Sequence, residues 1–207
     1  MENEQQKFWD KTYSKSYIEK NSSFDLHNGF EAWEKMLVSC ERKADIRTTL
    51  ECGSNIGRNI MSLNHVLPDA RKSIIELSED AYQIVVDKYN LDRTFNGAIV
   101  DAPFEQASFD LVYVIGVLIH IHPDDVVSNM RKMYDLSSKY ILIGEYFNRT
   151  PVTIEYQGEL NKLFKSDFGK TFIQNFDVEL VDYGFLWGFI YDKSGFDDTT
   201  WWLFEKK

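Results

Sequence analysis

The sequence is short of cysteine and of positive charge, and it has no long apolar run. Cys40 and Cys52 are the two cysteines in 207 residues, too few for a disulfide-stapled secreted scaffold. Reduced thiols in a cytosolic protein are the simpler expectation. No apolar run approaches the roughly 20 residues of a membrane helix. Met1 to Lys7 offers no apolar stretch of the secretory kind, so a cytoplasmic location with no membrane partner is expected. Lys and Arg number 23 against 33 Asp and Glu, a formal net charge of −10. A phosphate backbone would be repelled, and no nucleic-acid partner is expected. What is present is core: 43% of residues are hydrophobic and 15% aromatic, enough to bury an interior without staples. Disordered and collagen-like classes are excluded, and one domain is expected at this length.

Periodicity places the elements. Trp9, Tyr13 and Tyr17 recur at helical steps, and Leu26, Phe30, Trp33, Leu37 and Cys40 form an amphipathic helical stripe. The texture then changes to alternating strands and helices. Strands are predicted at Arg47–Cys52, Ser73–Leu77, Ala98–Asp101, Phe109–Ile115 and Tyr140–Gly144. Helices are predicted from Arg58 to Leu67, ended by Pro68; after Ser78, which caps; and from Asp124, read as the next cap. Such alternation implies a parallel sheet with helices on both faces. Beyond Glu145 the segment from Phe147 to Gly169 is polar and irregular. Val178–Tyr191 and Thr200–Phe204 read as a terminal hairpin packed by Trp187, Trp201 and Trp202.

The informative run is Glu51-Cys52-Gly53-Ser54-Asn55-Ile56-Gly57, between the first strand and the next helix. In open α/β sheets ligands bind at that edge. Gly53 and Gly57 let backbone approach a ligand. Glu76 follows Gly57 by 19 residues, at the end of the second strand, where an acid accepts both hydroxyls of a ribose. The constellation indicates an adenosine-type ligand. Asn55 stands where a dinucleotide fingerprint has its middle glycine, which suits a ligand without pyrophosphate. Glu51 would repel phosphate and pair with an ammonium or a sulfonium. Both favour S-adenosylmethionine over NAD.

With Asp101-Ala102 and the run Phe109 to His120, including Gly116, these residues resemble class I S-adenosylmethionine-dependent methyltransferases across positions 48 to 145. Asn55 departs from the glycine that many members carry. A narrower resemblance, to methylases associated with pseudaminic acid biosynthesis, is carried by Cys52 to Asn59, Gly116-Val117-Leu118-Ile119-His120-Ile121-His122-Pro123, Glu145-Tyr146-Phe147-Asn148-Arg149-Thr150-Pro151-Val152, Tyr156-Gln157-Gly158 and Leu163 to Phe168. The resemblance implies an α/β, Rossmann-like single domain. It has a mostly parallel seven-strand sheet, helices on both faces and a C-terminal antiparallel hairpin. Within it, 1–45 is a helical cap, 46–145 the cofactor core, 146–175 a substrate-side insertion and 176–207 the hairpin.

The resemblance further implies S-adenosylmethionine as cofactor and S-adenosylhomocysteine as product. Cofactor contacts are expected from Glu51, Gly53, Asn55, Gly57, Glu76, Leu77, Asp101, Ala102 and Gly116. Asp101 would lie near the adenine amine, with Ala102 and Phe104 flanking the ring. The acceptor is a small molecule, a hydroxyl or amine of a nonulosonic acid or related sugar. His120 and Glu145 are the candidate catalytic bases, since His titrates near neutrality. Tyr146, Arg149 and Lys165 are candidate substrate contacts; arginine suits a bidentate grip on the carboxylate of an acidic sugar. His120 and His122 alternate on an extended run but lack a third ligand, so no metal is expected. The Trp9 stripe reads equally as core or as a cofactor lid, and the chain as monomer or homodimer. The alternatives are a cofactor-binding module without catalysis in a surface-polysaccharide pathway and a methyltransferase acting on an unrelated small molecule.

Overall fold

The computed structural model describes Trp9 and residues 24–41, 43–156 and 158–207. Tyr13 and Tyr17 lie outside these. The first described helix, α1 (Leu26–Leu37), starts at Asp25, whose carboxylate accepts from Asn28 N–H and satisfies an orphan amide of the first turn. Its stripe buries Ala32, Trp33, Met36 and Leu37. The alternating core follows as β1 (Thr48–Cys52), α2 (Arg58–Val66), β2 (Arg71–Glu76), α3 (Glu79–Lys88), β3 (Thr94–Asn96), β4 (Phe109–Ile115), α4 (Pro123–Leu136) and β5 (Ser137–Glu145). A hairpin, β6 (Val152–Tyr156) and β7 (Glu159–Lys165), interrupts the pattern. Then come α5 (Phe168–Asn175), β8 (Val178–Leu186), α6 (Gly188–Tyr191) and β9 (Thr199–Lys206).

Seven strands form one sheet in the order β3-β2-β1-β4-β5-β9-β8. The first five are parallel, whereas β9 runs antiparallel to both neighbours. This is the expected Rossmann-like architecture with its terminal antiparallel pair. The period-two geometry of strands sorts the core into two layers. Val112, Val114, Ile141, Ile143, Trp202 and Phe204 pack with Met130 and Met133 of α4 and Phe172 of α5. The intervening Leu111, Tyr113, Tyr140, Leu142, Trp201 and Leu203 pack with Trp33, Met36 and Leu37 of α1. Residues 111–115 of β4 and 140–143 of β5 are largely buried on both faces, which is why they read as apolar runs.

Four expectations are corrected. The third strand is Thr94–Asn96, not Ala98–Asp101: the ladder to β2 is filled by Thr94, Phe95 and Asn96. Ile99–Asp101 coils into a 3₁₀ turn, with Asp101 N–H on Ala98 O and Ala102 N–H on Ile99 O, and inserts Ile99 into the core. α4 is capped by His122, whose Nδ1 accepts from Asp124 N–H, with Pro123 in the first turn where its missing N–H costs nothing. Trp187 does not pack the hairpin; it is 54% exposed, stacked on Phe189, while Trp201 and Trp202 are buried. The strand expected to reach Tyr191 ends at Leu186, and Gly188–Tyr191 is helical. Among the described residues no helix is long and apolar enough to cross a membrane.

Candidate active site

The chain runs β1-β2-β3 outward to one edge, then returns to place β4 on the other side of β1. That reversal opens a crevice at the carboxyl ends of the strands. A cavity of about 840 Å³ occupies it, toward the upper end of the roughly 300–1,000 Å³ typical of small-molecule sites. Every central strand contributes to its wall: Gly53, Ser54 and Asn55 after β1, Glu76 and Leu77 at β2, Gly97 to Asp101 after β3, Ile115 to Val117 at β4, and Glu145 and Tyr146 at β5.

The loop after β1 is held by its own side chains. Gly53, Asn55 and Gly57 all have positive φ, at 82°, 47° and 83°, a conformation that glycine and asparagine tolerate best. Asn55 Oδ1 accepts from Ile56 N–H at 2.7 Å, while Glu76 Oε2 accepts from Asn55 N–H at 2.6 Å. Glu76 Oε1 accepts from Ser78 N–H at 2.9 Å. The carboxylate thus ties the loop to the head of α3, and Glu76 lines the cavity. Gly53 is needed for close approach: a Cβ there would lie 2.5 Å from Val117 Cγ2. At Gly116, with φ 65°, a Cβ would meet nothing within 4 Å and would enter the cavity.

The opposite end is built around His120. Its Nδ1 lies 2.9 Å from Lys162 O on β7. A carbonyl only accepts, so Nδ1 carries the proton and Nε2 keeps its lone pair. The ring packs against Trp9 and Tyr156, with centroids 4.1 and 5.3 Å away. Burial pushes its pKa down to about 4, so the imidazole is neutral across the physiological range. Glu145 is fully buried. Its Oε1 accepts from Val117 and Leu118 N–H at 2.9 and 2.8 Å, and Oε2 takes a longer 3.4 Å contact from Ile119 N–H. It caps the 3₁₀ turn that carries His120. Burial pushes its carboxyl up to about 8 against those three N–H donors.

Residues 50–139 match a family model described as a methyltransferase domain. The match spans 90 of the 207 residues, from β1 into β5. Solved structures share the methyltransferase fold. One, from Leishmania major, is described as an S-adenosylmethionine-dependent methyltransferase; it is 13% identical with a TM-score of 0.72, over 99% of this chain and 87% of that one. A Listeria monocytogenes protein of similar description is 15% identical with a TM-score of 0.62, over 88% of this chain and all of that one. The Burkholderia thailandensis 1,6-didemethyltoxoflavin-N1-methyltransferase, solved with 1,6-didemethyltoxoflavin and S-adenosylhomocysteine, is 14% identical with a TM-score of 0.61, over 94% and 87%. No curated protein matches the sequence.

The geometry of the cavity itself fits S-adenosylmethionine. Glu76, a carboxylate, stands at the rim of β2, and the bare face of Gly116 leaves space where a side chain would intrude. Gly53, Asn55, Glu76, Leu77, Asp101 and Gly116 line the wall together, as do His120, Glu145 and Tyr146. Glu51, Gly57 and Ala102 do not. Glu51 is buried behind the wall, bonded by Asn59 Nδ2 at 2.7 Å and Tyr113 OH at 3.1 Å, and burial pushes its carboxyl up to about 8. The side chain in the wall is Asn59 itself. Gly57 faces α3, where a Cβ would lie 2.4 Å from Tyr89 and 2.6 Å from Val85. Ala102 is 2% exposed and turned into the core.

Arg149 and Lys165 also lie outside the wall; Lys165 Nζ sits over the Tyr146 ring at 5.0 Å. Sequence reasoning missed Arg58 and Asn59, which line the cavity from the head of α2, Asp192, Ser194 and Asp197 from the β8–β9 connection, and Thr199 at the start of β9. The first two directly follow Gly57 and were open to view. The others carry no spacing signal, because an antiparallel return brings them to the site from far along the chain.

Proposed function

We propose that this domain methylates a small molecule seated beside Trp9, His120 and Tyr156, with His120 Nε2 as the proton acceptor. Bound S-adenosylmethionine supplies an electrophilic methyl on a sulfonium, which needs no acid assistance. The chain therefore has to align the acceptor, exclude water and take up a proton. Glu76 and the backbone around Gly53 and Gly116 would hold the cofactor, and Asp101 would edge its base. The observation that carries the reading is the bond from His120 Nδ1–H to Lys162 O. It leaves a neutral imidazole with its bare nitrogen available in a walled cavity. Glu145 holds the amides of the turn beneath His120, so its first role is to position that residue. A hydroxyl or amine of a nonulosonic acid or related sugar is the acceptor that the sequence resemblance suggests. Neither Arg149 nor Lys165 lines the cavity to grip its carboxylate.

The test joins calorimetric titration with S-adenosylhomocysteine to a label-transfer assay. His120→Asn should bind the product as the parent does and lose about 10²- to 10⁴-fold in turnover. Full turnover in that variant would remove His120 as the base. Absence of product binding in the parent would remove the methyl-transfer reading itself.

A further inference from the structure

β8 is the last strand of the sheet. One side of it pairs with β9, and among the described residues no strand pairs the other. Such an edge is a row of N–H and C=O groups ready to pair with another chain, and proteins blunt it with proline, lysine or a bulge. Val178–Leu186 holds neither proline nor lysine. Its register slips between Leu180 and Asp182, and residues 182–186 then continue as regular strand. Tyr183 N–H donates to Asp182 Oδ1 at 2.8 Å, a local cap that backbone pairing would replace.

The face beside this edge is apolar. Tyr183 and Phe185 stand on the α5 side, opposite Trp202 and Thr200 of β9, and are 66% and 57% exposed. Leu180 and Ile173 of α5 are exposed next to them and, with Tyr183 and Trp202, wall a shallow hollow of about 430 Å³. Past the strand end the row continues into the exposed Trp187–Phe189 stack. Aromatic side chains of this size, each more than half exposed, offer about 400–600 Å² between the four of them. That equals the largest apolar patch of a typical monomer, about 300–600 Å². Ile173 and Leu180 extend it toward the roughly 800 Å² per partner that a stable interface buries.

We propose that two copies of the chain pair through β8, antiparallel about a two-fold axis at Gly184, which joins their sheets into one. A two-fold interface needs a self-complementary patch, and this register supplies it. Tyr183 faces the partner's Phe185 and the reverse, giving two cross-strand aromatic pairs. Asp182 faces the partner's Leu186 rather than an acid, and its carboxylate is already tied to Ser39 Oγ. Tyr183, Phe185, Leu180 and Ile173 do not line the catalytic cavity. Each copy therefore keeps its own site, and the pairing stands apart from the methyl-transfer reading.

Sedimentation velocity on the whole protein across the micromolar range, joined to amide hydrogen exchange, tests this. The parent should sediment at twice the chain mass. Phe185→Lys and Tyr183→Lys should each raise the dissociation constant at least tenfold, with melting curves close to the parent's. Amides of residues 182–186 should exchange at least tenfold more slowly in the parent than in these variants. Ile84→Lys, at an exposed apolar position of α3, should leave the dimer intact, which excludes a general effect of added charge. If one edge variant fails to fold, the other decides. A parent that stays monomeric would mean that something other than a second copy covers the face, and would overturn the proposal. So would a dimer whose β8 amides exchange as fast as the variants', or one that survives the lysine substitutions.

Discussion

At the scale of single residues, glycines that look alike in sequence separate by what their missing Cβ would touch. Gly116→Ala adds a methyl in open cavity space at φ 65°. The left-handed backbone costs about 1–2 kcal/mol of stability, and the methyl would occupy the cofactor's volume. We expect S-adenosylhomocysteine affinity to fall more than tenfold with a modest drop in melting temperature. Unchanged affinity would show that the space before Gly116 is not the cofactor's. Gly57→Ala should behave the other way. Its methyl would press on Tyr89 and Val85, so the loss appears in folding, about 1–3 kcal/mol in denaturant titration. The fingerprint from Glu51 to Gly57 was legible as a ligand loop because glycines, an acid and strand–helix context coincide. That Glu51 and Gly57 support the loop from behind was not legible, since spacing along a chain does not say which way a side chain turns.

At the scale of elements, the hairpin β6–β7 is the piece that sequence read worst and that the site needs most. Val152 to Glu155 are all exposed, so β6 shows none of the in–out alternation that marks a half-buried strand. Its register also slips between Ile154 and Tyr156. What the hairpin supplies is backbone: the Lys162 carbonyl fixes the His120 tautomer, and Tyr156 covers the ring. The buried parallel strands were legible by contrast, because residues 111–115 of β4 and 140–143 of β5 are apolar on both faces. If the hairpin's cover is what dries the imidazole, Tyr156→Ala should raise the His120 pKa from about 4 toward its ordinary 6.5. Proton NMR titration of the imidazole would show it, and the acid limb of kcat/KM should move upward with it. A pKa that stays low in this variant would assign the burial to the strands beneath.

At the scale of the whole molecule, three buried titratable groups, Glu51, Glu145 and His120, shape how stability responds to pH from about 4 to 8, and they pull in opposite directions. Glu51 and Glu145 have folded pKa values raised from 4.5 to about 8. Their contribution is fully present below about 4.5 and is lost as pH rises through about 8, because the folded chain keeps protons that the unfolded chain has released. His120 is depressed from 6.5 to about 4; its contribution is present above 6.5 and is lost as pH falls through about 4. Between pH 6.5 and 8 the folded histidine is neutral and the unfolded one sheds its last half proton, so the two carboxyls dominate. The ligand-free protein should therefore lose stability as pH rises across that window, by about 1.4 kcal/mol per pH unit for each carboxyl still protonated, so by about 2.7 at most. Glu51→Gln separates the two acids. An amide there can accept from Asn59 and donate to Tyr113 OH, so it keeps both contacts of the buried carboxyl without the proton. Melting curves of this variant from pH 6.5 to 8 should show about half the parent's slope and a higher midpoint at pH 8. A slope equal to the parent's would mean that Glu51 is ionised in the folded chain throughout, its charge carried by the Asn59 and Tyr113 bonds.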